Sequence, residues 1–262
     1  MLKLAPYSLG IAAGGLLVRE RRARISAERL GAATLETLLN AIDANDGDTG
    51  AHVRRVATYA LILCDAAGFD DRTCRSIERV ALFHDIGKIH EALSDIFHES
   101  TKLTPAERRA VMTHPQRGAD VLAPLARFYP DLSRGVLSHH ERWDGHGYPK
   151  HLKGKRIPIE ARVVAIADTF DAITHSRRYS QARSIEHAKE VIAEGRGTQF
   201  DPELTDLFLS PPVIDKVEAK FRVAMKPKRK NARRNMKKMG DPIPDLRFRW
   251  RIARGGRPLR GR

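Results

Sequence analysis

The run Val80-Ala81-Leu82-Phe83-His84-Asp85-Ile86-Gly87-Lys88-Ile89 constrains the fold more than any other stretch of the chain. A segment this apolar is headed for an interior, yet it carries a histidine and an aspartate side by side. An ionised carboxylate left unpaired there costs several kcal/mol. On a helix His84 lies one turn after Val80 and Asp85 one turn after Ala81, so both project near the buried face, with Lys88 a further turn on from His84. Two compensators are open at this point: a buried His-Asp hydrogen bond, or a metal ion that uses both side chains.

The flanking sequence predicts helices throughout. Leu30, Leu35, Leu38, Leu39 and Ile42 recur at helical spacing, and Asn45-Asp46-Gly47 ends that entry helix. A second helix starts near Asp48 or Thr49 and runs to Ala67, with Val53, Val56, Ala60 and Leu63 on the side that also carries Asp48 and His52, and Gly68 stops it. A third, from Asp71 to Ile86, contains the opening run. Thr104-Pro105-Ala106-Glu107 reads as a capping box that starts a helix ending at His114, because the residue before Pro115 is pushed out of helical geometry. Further helices are predicted from Gly118 to Phe128, Ser133 to His140, Pro158 to Ile173 and Ser184 to Glu194, with a short one after Asp201-Pro202. Gly145, Gly147, Pro149 and Gly154 mark Arg142–Lys155 as a loop. With no period-2 pattern over residues 25–210, the folded part is expected to be all-α. Five of its helices or helix ends carry buried-looking donors: His52, His84-Asp85, His114, His139-His140 and Asp168. In an all-α bundle such inward side chains are enough nitrogen and oxygen ligands for two first-row ions.

Charge divides the chain. Residues 216–262 hold 18 of the 47 Lys and Arg but only 3 of the 32 Asp and Glu, so the whole net charge of +15 sits there. Lys226–Lys230, Arg233-Arg234 and Lys237-Lys238 cannot bury a core, and a disordered tail is expected. Within it, Leu246-Arg247-Phe248-Arg249-Trp250-Arg251-Ile252 alternates apolar and basic groups, a pattern suited to a sheet edge, an RNA or an anionic membrane surface, or to a solvated tail with no fixed partner. At the other end, Leu4–Val18 is uncharged for 15 residues. As a helix it would span about 22 Å against a hydrocarbon core of roughly 30 Å, and it contains Pro6, Gly10, Gly14 and Gly15. A surface-associated N-terminus in a cytoplasmic protein is therefore expected rather than a membrane span. Cys64 and Cys74 form no CxxC and are read as reduced, structural thiols. The expected division is an N-terminal segment and entry helix over 1–45, a catalytic domain over 46–215 and a basic tail over 216–262.

Taken together, several strings resemble the HD-GYP subgroup of the HD-domain phosphohydrolases. They are Asp48-Thr49-Gly50-Ala51-His52 with Arg55-Val56, His84-Asp85-Ile86-Gly87-Lys88, Leu103-Thr104 with Glu107, His114-Pro115, and His139-His140-Glu141-Arg142-Trp143-Asp144-Gly145-His146-Gly147-Tyr148-Pro149. Ala161-Arg162, Ala167-Asp168 with Asp171, Arg177 and Tyr179, and Phe200-Asp201-Pro202 complete the order.

The resemblance implies a multi-helix HD-domain bundle acting as a metal-dependent phosphodiesterase on cyclic di-GMP in bacterial second-messenger signalling. The product would be linear pGpG and then GMP. It further implies iron or manganese, with His52, His84, Asp85 and Asp168 on one ion and Asp85 bridging to a second on His114, His139 and His140. Asp48 falls where some members place a glutamate that assists a third metal; with the shorter acid here, two ions are expected. Lys88 would offset charge on the phosphate oxygens and Arg177 would take the other phosphate. Asp144, Gly145, Gly147, Tyr148 and Pro149 would frame the substrate, Tyr148 by facing a guanine, by shaping the pocket mouth or by docking a protein partner. Two alternatives stand beside this: hydrolysis of another cyclic dinucleotide or an RNA end, and a metal-bound docking module without turnover.

Overall fold

The computed structural model describes residues 19, 26, 29–44, 47–89, 104–176 and 182–224. The uncharged N-terminal run, the basic tail with its alternating segment, Arg177 and Tyr179 lie outside the described residues. The described residues from Leu39 onward form one compact unit, which holds every site residue discussed below.

The helical elements of the described residues are α1 (29–44), α2 (Gly47–Ala66), α3 (Asp71–Phe83), a 3₁₀ turn (Ile86–Ile89), α4 (Pro105–Val111), α5 (His114–Leu122), α6 (Pro130–Leu137), α7 (Ile159–Thr174), α8 (Ile185–Glu194), α9 (Pro202–Leu209) and α10 (Pro211–Ala224), with two further short 3₁₀ turns at Ala123–Leu125 and Gly154–Arg156. Among the described residues the only β pairing is an isolated bridge between Arg196 and Phe200. The fold is therefore an all-α bundle, as the periodicity predicts.

Helix α2 buries Val53, Val56, Ala57, Ala60, Leu63 and Cys64, spaced three, four and seven apart, so one stripe faces α3 and α7. Gly68, at φ +68°, turns the chain, and the Asp70 carboxylate caps α3 by accepting from Thr73 N at 2.8 Å. The turn brings Cys64 and Cys74 together as a disulfide with a Cα–Cα distance of 5.9 Å. This corrects the expectation of reduced thiols. Ten residues of sequence hid the fact that an antiparallel pair sets the end of one helix beside the start of the next. Helix α7 is central, burying Val163, Val164, Ile166, Ala167 and Phe170. Substituting Phe170 by alanine would cost about 3–5 kcal/mol in lost burial and cavity.

Several boundaries differ from those predicted. The capping box is present, with Glu107 N to Thr104 Oγ1 at 3.2 Å and Thr104 N to Glu107 Oε2 at 2.6 Å, but α4 stops at Val111. Helix α5 then begins at His114, because Pro115 occupies its first turn, where a missing N–H costs nothing. Helix α3 ends at Phe83 and α6 at Leu137, each before the histidines expected inside them. Helix α10 runs to Ala224 and buries Val213, Ile214 and Val217. No helix among the described residues is long and apolar enough to cross a membrane.

Candidate metal centre

Three of the histidines owe their placement to one local device. A helix leaves its last carbonyls without internal N–H partners. His84 Nδ1 lies 2.8 Å from Ala81 O, His114 Nδ1 2.7 Å from Val111 O and His139 Nδ1 2.6 Å from Val136 O, each three residues back at the end of α3, α4 or α6. A carbonyl only accepts, so the proton is on Nδ1 in all three rings. The Nε2 lone pairs then face the interior. His52 is oriented differently, from within α2, by Nδ1 against Asp171 Oδ2 at 2.6 Å.

These side chains meet as two groups. In His52, His84 and Asp168, and again in His114, His139 and His140, the ligand atoms all lie within 4.8 Å of one another. Asp85 stands between them. Its Oδ2 is 3.5 Å from His84 Nε2 and 3.9 Å from His52 Nε2, while its Oδ1 is 3.4 Å from His114 Nε2 and 3.9 Å from His139 Nε2. Asp168 Oδ1 closes the first group at 3.3 Å from His52 Nε2. Asp85 Oδ1 and His84 Nε2 are buried without a hydrogen-bond partner.

The donor set fits cations. Burial, with the neighbouring ring of His140, holds the His139 imidazole well below its ordinary value, and burial lowers His114 to about 4 and His140 to about 3. These rings are neutral near pH 7. Yet His114 Nε2 and His139 Nε2 are 3.1 Å apart, and with both Nδ1 protons committed the contact sets lone pair against lone pair. A positive ion facing both removes that repulsion. Burial pushes the Asp85 carboxyl up, but Lys88, His84 and His114 together hold it well below the usual carboxylate range. It is ionised, with one oxygen turned to each group.

The expected positions fare differently. Lys88 sits in the 3₁₀ turn rather than on a helix, and its Nζ reaches Asp85 Oδ2 at 2.7 Å. Gly87 makes that turn possible, since a Cβ there would lie 2.1 Å from His114 O. Asp48 is exposed and belongs to neither metal-holding group, so the third-metal position gains no support. The Tyr148 ring stacks on His140 with centroids 4.9 Å apart. Asp144 is engaged by Arg142 at 2.8 Å and by His146 N at 3.0 Å, and its backbone N–H donates to Thr198 O. A Cβ on Gly147 would lie 2.3 Å from Arg142 N, so this glycine allows the loop to fold on itself. Gly145 adopts φ +87°. The contacts of Gly145 and Gly147 are thus internal to the loop, Asp144 also ties it to Thr198, and Pro149 follows Tyr148 in the same turn.

Four residues with structural roles at the centre had no role in the sequence reading. Asp171, fully buried, accepts from His52, from Arg55 Nε at 2.7 Å and from Arg55 Nη2 at 2.9 Å, and its Oδ1 is 3.1 Å from His175 Nδ1. Burial raises its pKa, but His175, His52 and Arg55 outweigh that and keep it ionised. The buried Glu141 carboxylate accepts from Lys150 N at 2.6 Å and Leu152 N at 3.0 Å, tying the Gly-Tyr-Pro loop to the residue after His140. An acid three residues after Asp168 on an apolar helix was the available signal for Asp171.

The profile of the HD domain family matches residues 36–204. The chain is 38% identical over 178 residues to the cyclic di-GMP phosphodiesterase response regulator RpfG of Xanthomonas campestris pv. campestris, covering 67% of this chain and 47% of that protein. It is 36% identical over 174 residues to 3'3'-cGAMP-specific phosphodiesterase 2 of Vibrio cholerae serotype O1, covering 66% of this chain and 33% of that one. It thus spans less than half of either relative. Among solved structures, the V. cholerae cyclic GMP-AMP phosphodiesterase V-cGAP3 superposes with a TM-score of 0.54 at 22% identity, over 74% of this chain and 53% of the other. The chain belongs to the HD-domain family, and its motif strings are those of the HD-GYP subgroup.

Proposed function

We propose that the centre holds two divalent ions, iron or manganese, and hydrolyses a cyclic dinucleotide. Cyclic di-GMP is the first candidate substrate, opened to linear pGpG and then cut to GMP. The observation that carries this reading is the Asp85 carboxylate, with one oxygen toward each of two histidine groups whose Nε2 lone pairs converge. Those distances support the assignment of His52, His84, Asp85 and Asp168 to one ion and of Asp85, His114, His139 and His140 to the other. Relatives named as phosphodiesterases for cyclic di-GMP and for 3'3'-cGAMP support the substrate class.

Phosphodiesters resist attack because the anion repels nucleophiles and the leaving alkoxide is poor; paired ions when bound supply an activated water and stabilise charge on both oxygens. The chain's own residues account for the rest. Backbone carbonyls and Asp171 hold four imidazoles in the Nδ1–H tautomer, so no ring rotation is needed at binding. Lys88 is pinned by Asp85, leaving its ammonium beside the centre to meet a phosphate oxygen. Tyr148, held by stacking and by its N–H to His140 O at 3.2 Å, walls one side of the second group. The other phosphate is assigned to Arg177.

The test uses protein purified anaerobically and reconstituted with iron or manganese. It is offered cyclic di-GMP, 3'3'-cGAMP and cyclic di-AMP, with products followed by chromatography. Metal-dependent loss of cyclic di-GMP with appearance of pGpG is expected. Bound metal without turnover of any of the three would overturn the enzymatic reading.

A further inference from the structure

A second polar cavity, of about 350 Å³, lies at the opposite ends of the helices that build the metal centre. It is lined by the first turns of α3 (Asp70, Arg72, Thr73, Ser76, Arg79), the entry to α6 (Phe128–Asp131) and Glu160 in the first turn of α7. The same three helices carry His84-Asp85, His139-His140 and Asp168 at or beyond their other halves. At 1.5 Å per residue the cavity and the centre are separated by roughly 12–20 Å along the helix axes.

Its polar groups are unevenly committed. Asp70 caps α3 through Thr73 N, and Asp131 is paired with Arg134 at 2.9 Å. Glu160 is only 4% exposed and makes no hydrogen bond or ion pair with any described residue. Its carboxylate lines the cavity, where a ligand that supplies donors would stabilise it. Arg79 lies with its guanidinium 4.7 Å over the Tyr129 ring, and its Nε is buried without an acceptor. The cavity therefore suits a ligand with N–H donors for Glu160 and an acceptor for the Arg79 guanidinium, beside Phe128 and Tyr129 rings that carry Arg127 and Arg79 over one face each.

We propose that this cavity binds the base of a guanine mononucleotide. Guanine alone among the common bases presents two adjacent donors, N1–H and the 2-amino group, beside the O6 and N7 acceptors. The donors match a carboxylate and the acceptors an arginine. Adenine offers one donor beside an acceptor on the same edge and leaves Glu160 half-satisfied. The volume stands at the lower end of the range for small-molecule sites, about 300–1,000 Å³, and suits one base with its sugar rather than a cyclic dinucleotide. Exposed Arg72 at the rim meets the phosphate. Because α3, α6 and α7 join the two sites, occupancy here bears on how the metal ligands are held. The binding itself is independent of whether the centre hydrolyses cyclic dinucleotides.

Isothermal titration of the full chain with GMP, AMP and CMP tests this, alongside Glu160→Gln, Arg79→Met and Asp85→Ala, with circular dichroism melts for each variant. GMP should bind wild type and Asp85→Ala alike. It should bind Glu160→Gln and Arg79→Met about tenfold or more weakly, and AMP should bind wild type about tenfold or more weakly. No GMP binding at millimolar concentration, or AMP bound as well as GMP, overturns the proposal. So does GMP binding lost in Asp85→Ala but kept in Glu160→Gln and Arg79→Met, which puts the nucleotide at the metal centre. Should one cavity variant fail to fold, the other and the GMP-to-AMP ratio in wild type still decide.

Discussion

His52 in the first ligand group is held by the Asp171 carboxylate, which also meets Arg55 and His175, whereas His114 and His139 in the second are held by backbone carbonyls and crowd one another. The first group also contains a carboxylate of its own, Asp168; the second has three imidazoles and no acid except the shared Asp85. Charge anchoring makes the first group sensitive, through His52, to substitutions around it, although its His84 is held by a carbonyl as in the second group. Backbone anchoring makes the second insensitive to such changes but leaves it with neutral, mutually repelling donors that lack a cation of their own. The two groups should therefore fail in different ways.

Asp85→Ala tests what they share and should have the largest effect. Elemental analysis should find both ions depleted, with hydrolysis down by about 10³-fold or more, since the carboxylate faces both groups. Equal metal content in the variant and the parent would show that Asp85 is not the bridge. His140→Ala should remove one ion of two, and metal content is the readout that separates it from Asp85→Ala. Asp171→Asn keeps the shape and loses the charge behind His52, so affinity at the first group should fall by about 10–100-fold with the second unchanged. Equal loss from both groups would mean that the charged cluster supports the bundle rather than one ring.

Most of this was legible in the sequence, for a physical reason. Helical periodicity is carried by many apolar residues, so α2, α7 and α8 fall within a residue or two of prediction. What failed was the position of the ligands on their helices. His84, His114 and His139 look like members of apolar helices but sit where the helix has stopped, because a ring that donates to an i−3 carbonyl uses a group that is free only at a C-terminal end. Asp171 carried the same signal as Asp168 and was passed over because it contacts a ligand rather than acting as one. The Cys64–Cys74 disulfide depends on how α2 and α3 pair, and no local pattern encodes that.

Protonation sharpens the contrast in the metal-free protein. His114 and His140 have folded-state values of about 4 and 3, below the ordinary value of about 6.5, so between those limits the unfolded chain binds more protons than the folded one. Stability therefore rises with pH across this window and falls as the medium is acidified from 6.5 toward 4. The loss is on the order of 2–3 kcal/mol for a fully buried ring and less for half-buried His140. Bound metal keeps the rings deprotonated to still lower pH, so the dependence should persist or steepen while overall stability rises, which chemical denaturation at pH 4.5 and 7 with and without metal measures. His140→Ala should reduce the slope of the metal-free protein. Asp171 works in the same direction at lower pH: its lowered value means that its contribution is complete at neutral pH and is lost as the medium is acidified below the ordinary carboxylate value.

The smallest effect expected is at Tyr148. Its ring covers one face of His140, and among the described residues no tyrosine, phenylalanine or tryptophan ring stacks on the first group in this way. If the contact only shields the second group from water, Tyr148→Phe retains the ring and should change kcat/KM by less than about twofold. Tyr148→Ala should then lower occupancy of the second group a few-fold, because uncovering a buried imidazole raises its proton affinity and makes the proton a better competitor for Nε2. If the hydroxyl instead meets substrate, Tyr148→Phe should cost about 1 kcal/mol, roughly fivefold, in kcat/KM with metal content untouched. Measuring metal content and kcat/KM in both variants separates a wall from a contact. A loss of metal in Tyr148→Phe would break the comparison, since the second group would then depend on a polar side chain after all.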